Sequence, residues 1–154
     1  MPIRLSTIEV VKNYLLDDGT QLTVVAQQFD GVKARTFDAM MNAPMSFPTA
    51  GEVEFKTKSF HFRAGVAAAL ALKDCSLMDP DTGMKVLRPS ADKVLEFLDI
   101  WFHPALTATA LTDKKTGVEY SYCALVSDAV YEANPQADPF QDTREKPPTS
   151  GEGD

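Results

Sequence analysis

The chain has 154 residues and a formal charge of −7, from 22 acidic against 15 basic side chains. This length suits one globular domain, and 44% hydrophobic with 24% charged residues is an ordinary globular composition. The acidic balance argues against a nucleic-acid partner, because phosphate binding requires clustered Lys and Arg. It favours a basic or apolar partner.

Cysteine usage and the amino terminus indicate a cytoplasmic protein. Cys75 and Cys123 stand in no recognised metal or disulfide spacing, so we expect two reduced, buried thiols. The first ten residues lack the apolar core of a signal peptide, and no apolar run approaches the roughly 18 residues that a membrane span requires. We therefore expect no export by that route and no membrane partner.

The first 30 residues support two interpretations. Ser6 and Glu9 have the spacing of a helix capping box, with apolar residues at helical intervals behind them. The run "LTVV" favours strands, however, and Asp18-Gly19 is a strong signal for a two-residue hairpin turn. We favour a hairpin over residues 6–28, and the helix remains the alternative.

The next segments predict a helix, a strand and a second helix. Residues 31–42 place apolar side chains on one face of a short helix that Pro44 ends, and residues 51–58 alternate as a half-buried strand does. Ser59 then precedes an alanine-rich stretch typical of a helix, which we expect to end near Asp74.

Residues 73–90, "KDCSLMDPDTGMKVLRPS", resemble a metal loop at first sight. If Asp79 is position 1 of a calcium loop, Gly83 falls at position 5 rather than 6, and position 12 is Ser90 rather than Glu. The residues "DPDTG" fit a tight turn instead, with Pro at its second position and a glycine for positive φ. We predict a turn followed by the short extended piece "MKVL".

Two more helices are predicted towards the carboxyl terminus. Residues 90–102 form the first, with Ser90 as N-cap, and Pro104 must kink or restart the chain. Residues 117–133 form the second, with Thr116 and Glu119 in capping-box spacing. Its apolar stripe contains Val118, Tyr122, Leu125, Val126, Ala129 and Val130.

The last 20 residues are acidic, rich in proline and almost free of apolar side chains. Such a segment cannot bury enough surface to offset its chain entropy. We therefore predict an α+β fold in a single domain over residues 1–134, with an N-terminal β-hairpin or strands, a C-terminal helical portion and a disordered acidic tail over 135–154.

The sequence gives no reason to expect a catalytic residue, a cofactor or a metal. His61 and His103 belong to no recognised nucleophile or zinc pattern, and glycine-rich phosphate loops are absent. Aromatic side chains are better candidates, because such groups anchor protein interfaces. We select Trp101, Phe102, Tyr131 and Phe140 as candidate partner-binding residues.

The segment "ALKDCSLMDPDTGMKVLRPSADKVLEFL" resembles the tail assembly chaperones of long-tailed bacteriophages. In that family a helix leads to a "D…D…G" turn, a short extended piece and a helix that begins at Pro or Ser. The resemblance covers roughly residues 64–134, and Cys75 stands where many members have Trp.

The resemblance implies a small non-enzymatic protein in the cytoplasm of an infected cell. Members coat the long helical tape-measure protein while the tail assembles, are absent from the finished particle, and often have a longer form made by ribosomal frameshifting. The composition also suits two other classes, a phage-encoded inhibitor of a host protein and a minor structural protein of the virion.

Overall fold

The computed structural model describes residues 7–42, 45–46, 54–55, 59–140, 143 and 146–149. The fold is α+β, as predicted, with an N-terminal sheet followed by helices and a second, smaller sheet. The strands are β1 (Glu9–Leu15), β2 (Gln21–Gln27), β3 (Met45–Ser46), β4 (Glu54–Phe55), β5 (Leu72–Cys75), β6 (Thr109–Thr112) and β7 (Glu119–Ser121). The α-helices are α1 (Gly31–Asn42), α2 (Phe60–Ala71), α3 (Val94–Trp101), α4 (Pro104–Thr107) and α5 (Tyr122–Ala133).

The amino-terminal segment is the predicted hairpin. Strands β1 and β2 pair antiparallel with Leu15 opposite Gln21, and Gly19 takes a φ of 89° in the connecting turn. The competing helix is therefore excluded for the described residues, and Ser6 lies outside them. Helix α1 covers the predicted residues 31–42, whereas most of the strand expected over 51–58 lies outside the described residues and Glu54–Phe55 is extended.

Helix α2 lies at the centre of the core. Ser59 caps it, since the Ser59 hydroxyl accepts a hydrogen bond from Phe62 N at 3.0 Å. The small side chains of the alanine run allow α3 and α5 to pack closely against α2. The run is therefore buried on almost all sides. The helix ends at Ala71 rather than near Asp74, because residues 72–75 leave it to form β5 at the edge of the sheet.

Residues 79–83 form a turn, as predicted. Gly83 has a φ of 70°, and its amide donates to the Asp79 carbonyl at 2.8 Å. The Asp79 side chain accepts from Asp81 N at 2.9 Å, so this carboxylate serves the turn itself. Met78 and Lys85 form a bridge on either side of the turn.

Two predicted helix starts are wrong. Helix α3 begins at Val94 rather than near residue 90, and the Ser90 hydroxyl donates to the Arg88 carbonyl instead of capping the helix. The capping box at Thr116 and Glu119 is also wrong, because Gly117 has a φ of 76° in the turn between β6 and β7. Helix α5 begins after Ser121, whose hydroxyl accepts from Ala124 N.

The large sheet has the order β1-β2-β5, and helix α5 packs against β1 and β2. Asn134, buried at the end of α5, joins the two layers. Its side-chain oxygen accepts from Phe29 N at 2.7 Å, and its side-chain nitrogen donates to the Gln27 carbonyl at 3.0 Å. The Asn134 side chain thus supplies hydrogen-bond partners for the backbone at the end of β2. These two hydrogen bonds fix the position of α5 on the sheet.

Candidate functional site

Trp101 is buried and anchors the contact between α2 and α3. Its indole nitrogen donates to the His61 carbonyl at 2.9 Å, and the His61 ring donates from Nε2 to the Trp101 carbonyl at 3.2 Å. Gly65 makes this approach possible, since a Cβ there would lie 2.6 Å from Trp101 Cδ1. Trp101 is therefore a core residue in this fold, and its role in partner contact stays a prediction.

Phe102, the next predicted residue, lies at the surface in an aromatic group that includes two residues not predicted. The His61 and Phe102 rings meet edge to face with centroids 4.8 Å apart, and the Phe60 and Phe140 rings do so at 4.6 Å. Each pair contains one residue of the first turn of α2, His61 in the first pair and Phe60 in the second. Phe60, Phe102 and Phe140 are exposed to 60%, 42% and 42%, and we call these three side chains the aromatic surface.

Phe140 reaches this surface because the chain beyond α5 stays on the body of the protein. Pro135–Ala137 form a turn of 3₁₀ helix, and the carbonyl of buried Ala137 accepts from Arg63 Nε at 2.7 Å. The guanidinium of Arg63 also lies 5.1 Å from the centre of the Phe37 ring. Residues 135–137, which belong to the predicted tail, therefore contact α2 through Arg63.

The remaining part of the predicted tail is described at a few positions. Pro147 is buried. The Tyr120 hydroxyl donates to the Lys146 carbonyl at 3.4 Å. Most of residues 141–154 lie outside the described residues. Tyr131, another predicted partner residue, is buried on α5, and its role in partner contact stays a prediction.

Helix α3 adds an apolar and acidic border to the aromatic surface. Its outward side carries Leu95 and Ile100, both exposed, together with the carboxylates of Glu96 and Asp99. Phe102 of the aromatic surface is the C-cap residue of the same helix, two residues after Ile100. The arrangement combines apolar contact area with negative charge.

A polar group of Lys12, Tyr14, Asp128 and Glu132 lies elsewhere, between β1 and α5. The Tyr14 hydroxyl donates to Asp128 Oδ2 at 2.6 Å, and Lys12 Nζ lies 2.7 Å from Glu132 Oε1 and 3.6 Å from Asp128 Oδ2. Burial alone would lower the pKa of Lys12, but its hydrogen bond to Glu132 and the charge of Asp128 outweigh burial and raise that pKa. These contacts stabilise α5 against the sheet.

The two cysteines are free and buried, as predicted. Desolvation raises the pKa of Cys75 to about 11 and that of Cys123 to about 12, so both are protonated at neutral pH. Burial also lowers the pKa of His61, and His103 is engaged in capping α4 through Nδ1, which accepts from Ala105 N at 3.0 Å. Pro104 restarts the chain as this short helix, as the sequence predicted.

No group of three or more His, Cys, Asp or Glu side chains suited to a metal occurs among the described residues. Within the same part of the chain, no helix is long and apolar enough to cross a bilayer.

Sequence reasoning missed Phe60, His61 and the Tyr14–Asp128 contact. Phe60 directly follows the N-cap Ser59 and is the first residue of α2. The first turn of a helix whose centre is buried can leave such a side chain exposed. That signal was available in the sequence. The Tyr14–Asp128 contact joins residues that are far apart in the chain, and nothing in their local sequence predicts it.

Comparisons with protein-family models, with curated proteins and with solved structures found no match to this chain.

Proposed function

We propose that this protein is a non-enzymatic phage tail assembly chaperone that binds the tape-measure protein during tail formation. The observation that supports the proposal most directly is the aromatic surface, Phe60, Phe102 and Phe140, exposed on a well-packed support. Aromatic groups on rigid supports contribute much of the binding energy at protein interfaces, since little side-chain entropy is lost when they are covered.

The neighbouring charges favour an amphipathic helix as the occupant. The exposed side of α3 adds Leu95 and Ile100 to the apolar area, and Glu96 and Asp99 stand beside them. A helix with an apolar stripe and basic flanks would cover the aromatic surface and neutralise these carboxylates. Long helical proteins, as a tape-measure protein is, offer many such stripes.

The surroundings of the reactive side chains support binding rather than catalysis. The two thiols are protonated in the core, His103 caps a helix, and Asp128 accepts from Tyr14 beneath α5. Each of these groups therefore has a structural role in this fold. We expect no cofactor and propose a cytoplasmic site of action, in the host cell if a phage encodes the chain.

Co-expression with a tape-measure protein encoded in the same genome tests the proposal. We expect the chain to keep that protein soluble and to co-purify with it, and we expect Phe102→Ser with Phe140→Ser to abolish both effects. Met84→Ser is the matched control, because Met84 is 51% exposed in the turn after β5, away from the aromatic surface.

The proposal fails if the tape-measure protein aggregates equally with and without the chain, or if the double variant acts like the wild type. Retention of the chain in purified particles would indicate a virion component instead. Salt-sensitive binding to a host enzyme, with no effect on the tape-measure protein, would indicate an inhibitor.

A further inference from the structure

Strand β1 presents one edge of the large sheet. Leu16 N donates to the Thr20 carbonyl, and Gln28 N donates to the Ile8 carbonyl, which identifies both as hydrogen-bonded pairs of the β1-β2 ladder. Such pairs alternate along an antiparallel ladder, so Lys12 and Tyr14 also point their amides towards β2. The amides and carbonyls of Val11, Asn13 and Leu15 therefore point away from the sheet.

In the described part of the chain, no strand pairs with this outer edge. The edge ends at Asp17, whose amide donates to the Ala110 carbonyl of β6 at 2.9 Å. The Asp17 carboxylate also accepts from Thr112 N at 2.9 Å. Among the described residues, no strand thus lies beside the outward backbone groups of Val11, Asn13 and Leu15 before the β6 contact, and sheet edges of this kind add strands readily.

The side chains beside this edge are apolar and exposed. Val11 and Leu15 lie on the face of the sheet that α5 does not cover, and they are exposed to 55% and 56%. Between them lies Asn13, whose side-chain oxygen accepts from the Thr23 hydroxyl at 2.6 Å. The sequence Val-Lys-Asn-Tyr-Leu therefore places apolar residues symmetrically about Asn13 on one face.

An inward-pointing charge on an edge strand usually opposes strand addition. Lys12 is such a residue, but its ammonium group is already paired with Glu132 at 2.7 Å and lies near Asp128. Its side chain is largely covered beneath α5, so it presents little uncompensated charge to an added strand. Lys12 therefore does not prevent the addition of a strand at this edge.

We propose that the outer edge of β1 pairs with the same edge of a second copy to form a symmetric dimer. An antiparallel pairing centred on Asn13 places Val11 of each copy opposite Leu15 of the other, so both exposed apolar residues gain a partner. It places Lys12 opposite Tyr14 rather than opposite the other Lys12, which avoids direct charge repulsion. The result is one six-stranded sheet, independent of the proposed tape-measure binding.

Amide hydrogen exchange of the full chain at several protein concentrations tests the pairing. In a monomer the outward amides of Val11, Asn13 and Leu15 exchange with water, whereas those of Lys12 and Tyr14 are protected in the ladder. We expect protection of the outward amides to rise with protein concentration and protection of Lys12 and Tyr14 to remain constant. Sedimentation equilibrium should show a monomer–dimer equilibrium over the same range.

Substitutions at the edge supply the second readout. Val11→Lys should raise the dimer dissociation constant about tenfold or more, and Asn13→Pro should do the same by removing an outward amide. Met84→Lys, at a residue of similar exposure beyond β5, should leave the constant unchanged. The proposal is overturned if the wild type stays monomeric up to about 1 mM, a concentration that detects association as weak as about −4 kcal/mol.

It is also overturned if a dimer forms while the outward amides of β1 exchange independently of concentration. The exchange measurement uses the wild-type chain, so it decides the question even if a variant fails to fold. Loss of tape-measure binding in the aromatic variants would have no bearing on this result, because Phe102 follows α3 and Phe140 follows α5, away from β1 in the chain.

Discussion

Replacement of Gly65 by Ala should destabilise the protein, although alanine is the better helix former. A Cβ at this position would lie 2.6 Å from Trp101 Cδ1, 2.7 Å from Leu98 Cδ2 and 2.9 Å from Trp101 Nε1. Overpacking of this kind costs about 3 kcal/mol at the upper end of its usual range. The higher helix propensity of alanine offsets about 1 kcal/mol of this cost. We therefore expect a net loss of about 2 kcal/mol in the free energy of unfolding.

Urea unfolding followed by fluorescence measures this loss directly, because Trp101 is the only tryptophan in the chain. A loss of that size corresponds to a decrease of about 4–8 °C in the melting temperature. The control is Gly31→Ala at the start of α1, where a Cβ meets nothing within 4 Å and stability should be unchanged or slightly higher. A Gly65→Ala protein as stable as the wild type would refute the close packing of α2 on α3.

Three further predictions concern the polar group on α5 and the thiols. Asp128→Asn should lower the free energy of unfolding by about 1–3 kcal/mol, because it removes the buried charged acceptor of Tyr14. Glu132→Gln should cost less than about 1 kcal/mol in the same urea assay, since Glu132 is partly exposed, and an equal cost would contradict this ranking. Cys75 and Cys123 should resist a thiol reagent at pH 8 until the chain unfolds, because burial raises their pKa values to about 11 and about 12. The native state then keeps thiol protons that the unfolded chain releases, so stability should fall as pH rises from about 9 to about 11. A double Ala variant should show a shallower fall over this range, and an unchanged slope would contradict the assignment.

Local sequence signals predicted much of the fold. The hairpin followed from Asp18-Gly19, although the observed loop has three residues, 17–19, with positive φ at Gly19 rather than the predicted two-residue turn. Helix α2 followed from Ser59 and the alanine run, and the turn at Asp79 followed from its Pro and Gly. In each case the residues that determine the structure are neighbours in the chain.

The failures involve contacts between distant segments. Residues 72–75 read as the end of a helix, but they pair with β2, which is more than 40 residues away in the chain. Thr116 and Glu119 fit a capping box by spacing, yet Gly117 between them adopts the positive φ that a hairpin turn requires. Local spacing could not show which pattern would prevail, because the pairing of β6 with β7 decides it.

Which aromatic side chains lie at the surface was only partly predictable, for the same reason. Phe102 and Phe140 were selected by residue type, and both are exposed. Trp101 and Tyr131 were selected on the same grounds and are buried, because the packing of α2 and α5 determines which aromatic side chains face the core. Residue type predicts an aromatic contact, but the tertiary fold decides whether that contact is internal.

The most direct test of the central claim is a titration of the labelled protein with a helical peptide from a tape-measure protein, followed by nuclear magnetic resonance. We expect the largest shift changes at Phe60, His61, Phe102 and Phe140, with smaller changes along the exposed side of α3. Changes confined to other surfaces, or none at peptide concentrations near 1 mM, would contradict the claim that this protein acts through its aromatic surface.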